Sequence, residues 1–132
     1  MLKKIDHIGI AVPNLDDIKK TLSEAFELNP EFEEEVPDQK VKAIGYHIGE
    51  STIEYLQPTS PDSPIARFLD KKGTGIHHIA YRVDDLKQTL NRLHNKGFQL
   101  IDELPRQGAE GKKIAFIHPK STNGILIELC EI

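Results

Sequence analysis

The segment GTGIHHIAYRV (residues 73–83) places His77 and His78 side by side in a stretch that reads as a β-strand. An imidazole can ligate a divalent metal ion or carry a proton near neutral pH. Adjacent strand residues point to opposite faces of a sheet, so one site can use only one of the two histidines. The rest of the sequence indicates which one, because the same pattern occurs a second time.

The first half of the chain contains a copy of this segment. IDHIGIAVPNL (5–15) matches IHHIAYRVDDL (76–86) in its apolar positions and in one histidine. His7 pairs with His78, which stands 71 residues later. Two half-chain copies carry more information than any single motif, since an internal repeat implies one structural unit built twice.

A second pair of segments continues the repeat. STIEYLQ (51–57) matches GILIELCE (124–131), so that Glu54 pairs with Glu128, 74 residues later. Both glutamates stand in the middle of an apolar strand pattern, where a carboxylate is unusual unless it lines a cleft. The change in spacing from 71 to 74 implies that about three residues are inserted or deleted in a loop of one copy.

The four repeated residues could form a metal site. His7, His78, Glu54 and Glu128 share one concave surface if the two sheets curve together. Two imidazoles and two carboxylates suit borderline divalent ions such as Zn²⁺, Co²⁺, Ni²⁺ and Mn²⁺, and they leave one or two positions for water or substrate. A lone strand histidine is more often a packed or surface residue, but the duplication favours the metal interpretation. His77 points to the opposite face, against a helix, and we interpret it as structural.

Composition excludes several classes of protein. The chain has 132 residues and a net charge of −4, with no basic run longer than Lys-Lys, which argues against nucleic-acid binding. Its apolar runs are too short to cross a membrane. A single cysteine, Cys130, fits a reducing compartment, and the first residues lack the apolar stretch of a signal peptide, so we expect a cytoplasmic protein.

Each half has the local pattern of a β-α-β-β-β module. In the first half, strands are predicted near 5–12, 31–36, 41–48 and 51–57, and a helix capped by Asn14 is predicted to bury Leu15, Ile18, Leu22, Ala25 and Phe26. In the second half, strands are predicted near 76–83, 99–102, 112–118 and 124–131, with a helix near 85–95. A connector helix near 64–71 should begin at Ser63 and Pro64 and bury Ile65, Phe68 and Leu69.

The predicted fold class is therefore α+β, with two tandem βαβββ modules that form a curved mixed sheet around a metal-containing cleft. We expect one domain over residues 1–132. Its parts are module 1 at about 3–58, the connector helix at about 62–73 and module 2 at about 74–132. Neither half alone has enough residues for a comfortable core.

The paired modules, with His and Glu on equivalent strands, resemble the vicinal-oxygen-chelate superfamily, which includes glyoxalase I, extradiol dioxygenases and metal-dependent resistance proteins. The segments DHIGIAV (6–12), PDSPIARFLDKKGTGIHHIAYRVDDL (61–86) and HPKSTNGILIEL (118–129) are similar, more narrowly, to the methylmalonyl-CoA epimerase family. The resemblance runs nearly from end to end.

The resemblance implies a metal-dependent epimerase that interconverts the (R) and (S) forms of methylmalonyl-CoA through a metal-stabilised enolate. Its metal ligands would be His7, Glu54, His78 and Glu128 around one divalent ion (Co, Zn, Mn or Ni), with Glu54 the least fixed of the four because some family members carry Gln there. Glu128 would also carry a proton, or else serve only as a ligand. A glutamate proposed as an acid/base in some family members aligns with Ala43, so the second proton carrier is unassigned. The family also implies a homodimer.

The cations Lys112, Lys113 and Lys120, with Arg106 upstream, could bind the phosphates of the CoA substrate or simply be solvated surface. Two alternative functions stay open. One is a glyoxalase I-like lactoylglutathione lyase or another metal-dependent enzyme of the superfamily, although a dioxygenase fits four protein ligands less well. The other is a non-catalytic resistance protein that sequesters a ligand.

Overall fold

The computed structural model describes residues 1–132 and contains eight strands and three α-helices. The strands are β1 (Lys4–Ala11), β2 (Phe32–Val36), β3 (Val41–Ile48), β4 (Ser51–Pro58), β5 (Gly75–Arg82), β6 (Arg106–Gln107), β7 (Lys113–Ile117) and β8 (Ile127–Glu131). The helices are α1 (Leu15–Phe26), α2 (Pro64–Lys72) and α3 (Leu86–Asn95). This order confirms the α+β class and the β-α-β-β-β pattern of both halves.

The chain forms two compact units. Residues 8–77 make one unit, in which the strands follow the order β2-β3-β4-β1. Strand β3 runs antiparallel to β2 and β4, whereas β1 runs parallel to β4. The core of this unit lies beneath α1, where alternate residues of the strands meet the apolar face of the helix. Its buried members are Val12, Leu15, Ile44 and Tyr46.

Residues 1–7 and 78–132 make the other unit, in which β5 is followed by β8, β7 and β6. Strand β8 runs parallel to β5 and antiparallel to β7. The N-terminal segment joins this unit beside β5, where the Lys3 amide donates to the Arg82 carbonyl at 2.8 Å. The core lies beneath α3 and contains Val83, Leu86, Leu90, Ala115, Ile117 and Leu129.

The helix starts confirm the predicted caps. The Asn14 side chain accepts hydrogen bonds from the first turn of α1, and the Ser63 hydroxyl accepts one from Ile65 at the start of α2. Asp85 performs the same task for α3 by accepting from the Gln88 amide. Each cap satisfies a backbone donor that has no partner within the helix. None of the helices has the length and apolar character needed to span a bilayer.

Two predictions of local structure were wrong. No strand forms near 99–102, where only Leu100 makes a single bridge to Ile117. The helix α1 does not bury Ala25 or Phe26, and Phe26 is 67% exposed. The connector helix buries Ile65, as predicted. The single-domain boundaries stay a prediction.

A candidate metal centre

Two histidines and one glutamate converge in the unit of residues 1–7 and 78–132. The Nε2 atoms of His7 and His78 lie 3.1 Å apart. One carboxylate oxygen of Glu128 lies 3.4 Å from His7 Nε2, and the other lies 3.4 Å from His78 Nε2. All three side chains are buried, so their polar atoms face one another rather than bulk water.

The strand register explains this convergence. Strand β5 lies parallel to β8, with Ala80 directly beside Glu128. His78 is two residues before Ala80, so it points to the same face as Glu128. The small side chain of Ala80 leaves that face open between them. The predicted choice of His78 rather than His77 therefore agrees with the observed register.

The two imidazole nitrogens and the two oxygens of Glu128 suit a divalent ion. Zn–N bonds are about 2.1 Å long, so two ligand atoms that subtend 90–110° at the ion lie about 3.0–3.4 Å apart. The observed separations of 3.1, 3.4 and 3.4 Å fall in that range. Mixed nitrogen and oxygen donors suit the borderline ions Zn²⁺, Co²⁺, Ni²⁺ and Mn²⁺. The donor set can therefore hold one such ion.

A buried carboxylate that the sequence pattern did not reveal lies behind His7. Asp6 is 3% exposed, and one of its oxygens accepts a hydrogen bond from His7 Nδ1 at 2.8 Å. Lys112 Nζ donates to the same oxygen at 3.0 Å, and Arg82 Nη2 donates to the other at 2.6 Å. Burial alone would raise the pKa of Asp6, but the hydrogen bonds from His7, Lys112 and Arg82 outweigh it and hold the pKa well below its usual range.

The predicted phosphate-binding lysines occupy different surroundings. The Lys112 side chain is only 14% exposed, because its ammonium group binds Asp6. Lys113 and Lys120 are exposed, on β7 and on the short turn after it. Exposed lysines can reach an anionic ligand, whereas Lys112 is engaged by a carboxylate inside the fold.

Glu54 belongs to the unit of residues 8–77 and is also buried, at 4% exposure. It lies on β4, directly between Gly9 of β1 and Gly45 of β3. Gly9 precedes Ala80 by 71 residues, so the pairing of Glu54 with Gly9 repeats the pairing of Glu128 with Ala80. The repeat predicted from the sequence thus extends to the register of the strands.

The remaining sequence candidates lie elsewhere. His77 packs edge-on against Phe68 of α2, with ring centroids 5.1 Å apart, in agreement with a structural role. Ala43 is fully buried on β3, opposite Glu34 and Leu56. His94 is exposed on α3, as expected.

An apolar cavity of about 260 Å³ lies beneath α3 in the same unit as the candidate metal centre. Its lining includes Tyr81 of β5, Leu129 of β8 and Leu93 of α3. Tyr81 and Leu129 alternate with the residues that form the candidate metal centre, so the cavity is on the helix side of these strands. None of the three candidate ligands borders it.

The family model of the Glyoxalase/Bleomycin resistance protein/Dioxygenase superfamily matches residues 6–116. The chain belongs to this superfamily. A Bacillus subtilis (strain 168) relative named Uncharacterized protein YqjC is 45% identical over 130 residues, which span 98% of this chain and 93% of the relative. The ethylmalonyl-CoA/methylmalonyl-CoA epimerase of Cereibacter sphaeroides is 35% identical over 134 residues and is matched over 100% of both chains.

A solved structure also matches this chain over nearly its full length. Methylmalonyl-CoA epimerase in complex with methylmalonyl-CoA and NH4+ matches with a TM-score of 0.94 and 33% identity, over 99% of this chain and 95% of that chain. These relatives confirm the predicted similarity to the epimerase family. The chain is therefore an isomerase of the epimerase type within the superfamily.

Proposed function

We propose that this protein interconverts the (R) and (S) forms of methylmalonyl-CoA through a metal-stabilised enolate. The observation that carries the proposal is the convergence of His7, His78 and Glu128, in a chain whose relatives include named methylmalonyl-CoA epimerases. The acyl-CoA substrate is inferred from the names of those relatives. Glu54 is the proposed fourth ligand, supported by its burial and by its register equivalence to Glu128.

Epimerisation removes the proton from C2 on one face and returns a proton on the other face. The C–H electron pair passes into an enolate whose negative charge falls mainly on the thioester oxygen. A bound divalent ion would stabilise that developing charge and hold the substrate in register. The two imidazoles supply neutral nitrogen donors, so the carboxylate ligands leave the site close to electrically neutral.

Glu128 is our candidate for one proton carrier. Its two oxygens each face an imidazole, and burial keeps the carboxylate away from bulk water. A positioned acid or base of this kind contributes typically about 10²–10⁴-fold to the rate. Ala43 has no group that can move a proton, so a second carrier must come from another residue.

The other proposals concern ligands and assembly. Lys113 and Lys120, which are exposed, are the better candidates for contacts with the CoA phosphates, since the Lys112 ammonium binds Asp6. A homodimer stays an expectation from the family, and a cytoplasmic location stays a prediction from the sequence. The native ion is Co, Zn, Mn or Ni.

The test is deuterium exchange at C2 of methylmalonyl-CoA in D₂O, with the metal content measured on the same sample. We expect exchange with the wild-type protein, and loss of both the ion and the exchange in His7→Ala and His78→Ala. His94→Ala is the control, because that side chain is exposed on α3. Metal-loaded wild-type protein that gives no exchange above background would contradict the proposal.

A glyoxalase I-like activity is the second candidate. It is favoured by Ala43, because a proton-transfer group expected in some epimerases is absent there. The same preparation should be given the hemithioacetal of methylglyoxal and glutathione. Turnover of the hemithioacetal without exchange at C2 of methylmalonyl-CoA would favour this candidate.

A further inference from the structure

Asp6 is the most completely enclosed charge of the unit that contains His7. Its side chain is 0% exposed and accepts hydrogen bonds from three different residues. The donors come from distant parts of the sequence: Arg82 on β5 and Lys112 just before β7. Burying a carboxylate costs free energy unless it is paired. Here the three hydrogen-bond donors provide that pairing.

The hydrogen bond to His7 has a consequence for the opposite side of the imidazole ring. A carboxylate only accepts hydrogen bonds, so the proton of this bond is on His7 Nδ1. In a neutral imidazole, the other nitrogen then carries a lone pair. That nitrogen, Nε2, is the atom that lies 3.1 Å from His78 Nε2 and 3.4 Å from Glu128.

The two cations keep the carboxylate in place. Arg82 contacts one oxygen of Asp6 through both Nε and Nη2, at 3.1 and 2.6 Å. Lys112 contacts the oxygen that also binds His7. Asp6 is thereby fixed from both sides, and its bond to His7 fixes the rotation of the imidazole ring.

We propose that Asp6 is a positioning residue that fixes the tautomer and orientation of His7, with Arg82 and Lys112 holding Asp6 in place. The inference rests on the proposed function in one respect, since it takes His7 to be a metal ligand. Partners of this kind behind a metal-binding histidine typically change metal affinity about 10–100-fold when they are removed.

The other half of the molecule provides a matched control. His77 occupies the position equivalent to Asp6, directly before His78, but its ring packs on Phe68 of α2. Replacing His77 therefore changes the residue next to the proposed ligand His78, but it removes no carboxylate that binds a ligand. His77→Asn and Asp6→Asn introduce the same side chain at the two equivalent positions.

The experiment measures Co²⁺ and Zn²⁺ affinity by competition with a chelator. We expect binding about 10–100-fold weaker in Asp6→Asn and unchanged in His77→Asn. Because Asp6→Asn removes the carboxylate that Arg82 and Lys112 share, the double variant Asp6→Asn with Lys112→Met is measured as well. It restores the charge balance and should lose the same affinity. Wild-type affinity in either folded Asp6 variant would overturn the inference.

A second readout does not need the ion. Nitrogen-15 NMR of the metal-free wild-type protein should show His7 protonated at Nδ1, with that tautomer lost or mixed in Asp6→Asn. A wild-type His7 that carries its proton at Nε2 would overturn the inference. Failure of wild-type protein to bind any divalent ion, together with the expected Nδ1 tautomer, would instead count against the proposed function alone.

Discussion

The two halves of the molecule cover the strand position opposite the repeated glutamate with an aromatic ring, but the ring comes from different strands. In the second half, Phe116 of β7 lies opposite Glu128, and its ring packs edge-on against His78 at 5.5 Å between centroids. The equivalent position in the first half is Gly45, which lies opposite Glu54. There the ring belongs to Phe32 of β2, which covers the space above Gly45.

This difference indicates what the repeat constrains. The strand order and the paired glutamates are kept, whereas the source of the apolar cover has changed. The neighbours of the histidines differ too, since Asp6 binds His7 and the equivalent His77 packs on Phe68. The repeated residues are the candidate ligands, and the residues that orient and cover them have diverged.

The largest expected effect separates Glu128 from Glu54. Glu128→Gln should lower the rate of C2 exchange by about 10²–10⁴-fold, because the amide cannot accept the proton. Glu54→Gln should lower it by less, about 10-fold or below, since an amide oxygen can still act as an oxygen ligand. The exchange rate and the metal content are measured in parallel. Equal losses of exchange in the two variants at equal metal content would contradict a special role for Glu128.

The next prediction tests whether the Phe32 ring is held tightly over Gly45. A Cβ at residue 45 would lie 1.8 Å from Phe32 Cε2, so Gly45→Ala forces the ring to move. We expect a loss of about 1–3 kcal/mol in the free energy of unfolding, measured by urea denaturation. Gly75→Ala is the control, because a Cβ there meets nothing within 4 Å and should change stability by less than about 0.5 kcal/mol. A Gly45→Ala protein as stable as the control would show that Phe32 moves aside at little cost.

The repeat explains why the candidate ligands could be predicted from the sequence. Strand parity and the half-chain repeat can be read directly from the sequence, and they identify His7, His78 and Glu128 without any knowledge of distant contacts. Parity also separated His78 from its neighbour His77. The partners of Asp6 could not be found in this way, because Arg82 and Lys112 reach it from 76 and 106 residues away.

The wrong predictions have specific physical causes. Near 99–102, Asp102 accepts a hydrogen bond from the Phe116 amide through its side chain, which takes the place of a backbone partner in a strand pair. At the end of α1, Glu27 adopts a left-handed conformation, and the Leu28 amide bonds back to the Leu22 carbonyl. This turn packs Leu28, which is half-buried, against the core in place of Phe26.

His77 should make the stability of the unit of residues 8–77 depend on pH. Burial, with a smaller contribution from the charge of Lys72, lowers the pKa of His77 from 6.5 to about 4. As the pH falls below 6.5, the unfolded chain gains a proton that the folded chain does not bind until about pH 4. The contribution of the neutral His77 ring to the free energy of unfolding is therefore fully present above pH 6.5, and it is lost as the pH falls toward 4.

Unfolding free energies between pH 4 and 7 test this prediction. His77→Gln should flatten the dependence by at most about 3 kcal/mol over that range. His94→Gln, at an exposed position of α3, is measured in parallel as a second histidine-to-glutamine substitution. An unaltered slope in His77→Gln would mean that the ring is accessible to protons in the folded state.

The smallest expected effect concerns the first backbone amides of α1 and α3. The Leu15 amide donates to Gln57 at 2.8 Å, and the Leu86 amide donates to Glu131 at 2.9 Å. The two acceptors stand at equivalent positions of the repeat, but one is neutral and the other is a carboxylate. Each alanine variant should lose about 0.5–2 kcal/mol, as for the loss of a helix cap.

The charge should make Glu131→Ala the more destabilising of the two, by about 0.3–1 kcal/mol at low salt, because a negative charge is favourable at a helix N-terminus. Glu131→Gln keeps a hydrogen-bond acceptor, so it should lose only the contribution of the negative charge, about 0.3–1 kcal/mol. Urea denaturation at low and high salt separates the contributions, since salt screens the charge and leaves the hydrogen bond. If Gln57→Ala and Glu131→Ala lose the same stability at low salt, the two halves use this contact as a neutral hydrogen bond, and the carboxylate at Glu131 adds nothing to it.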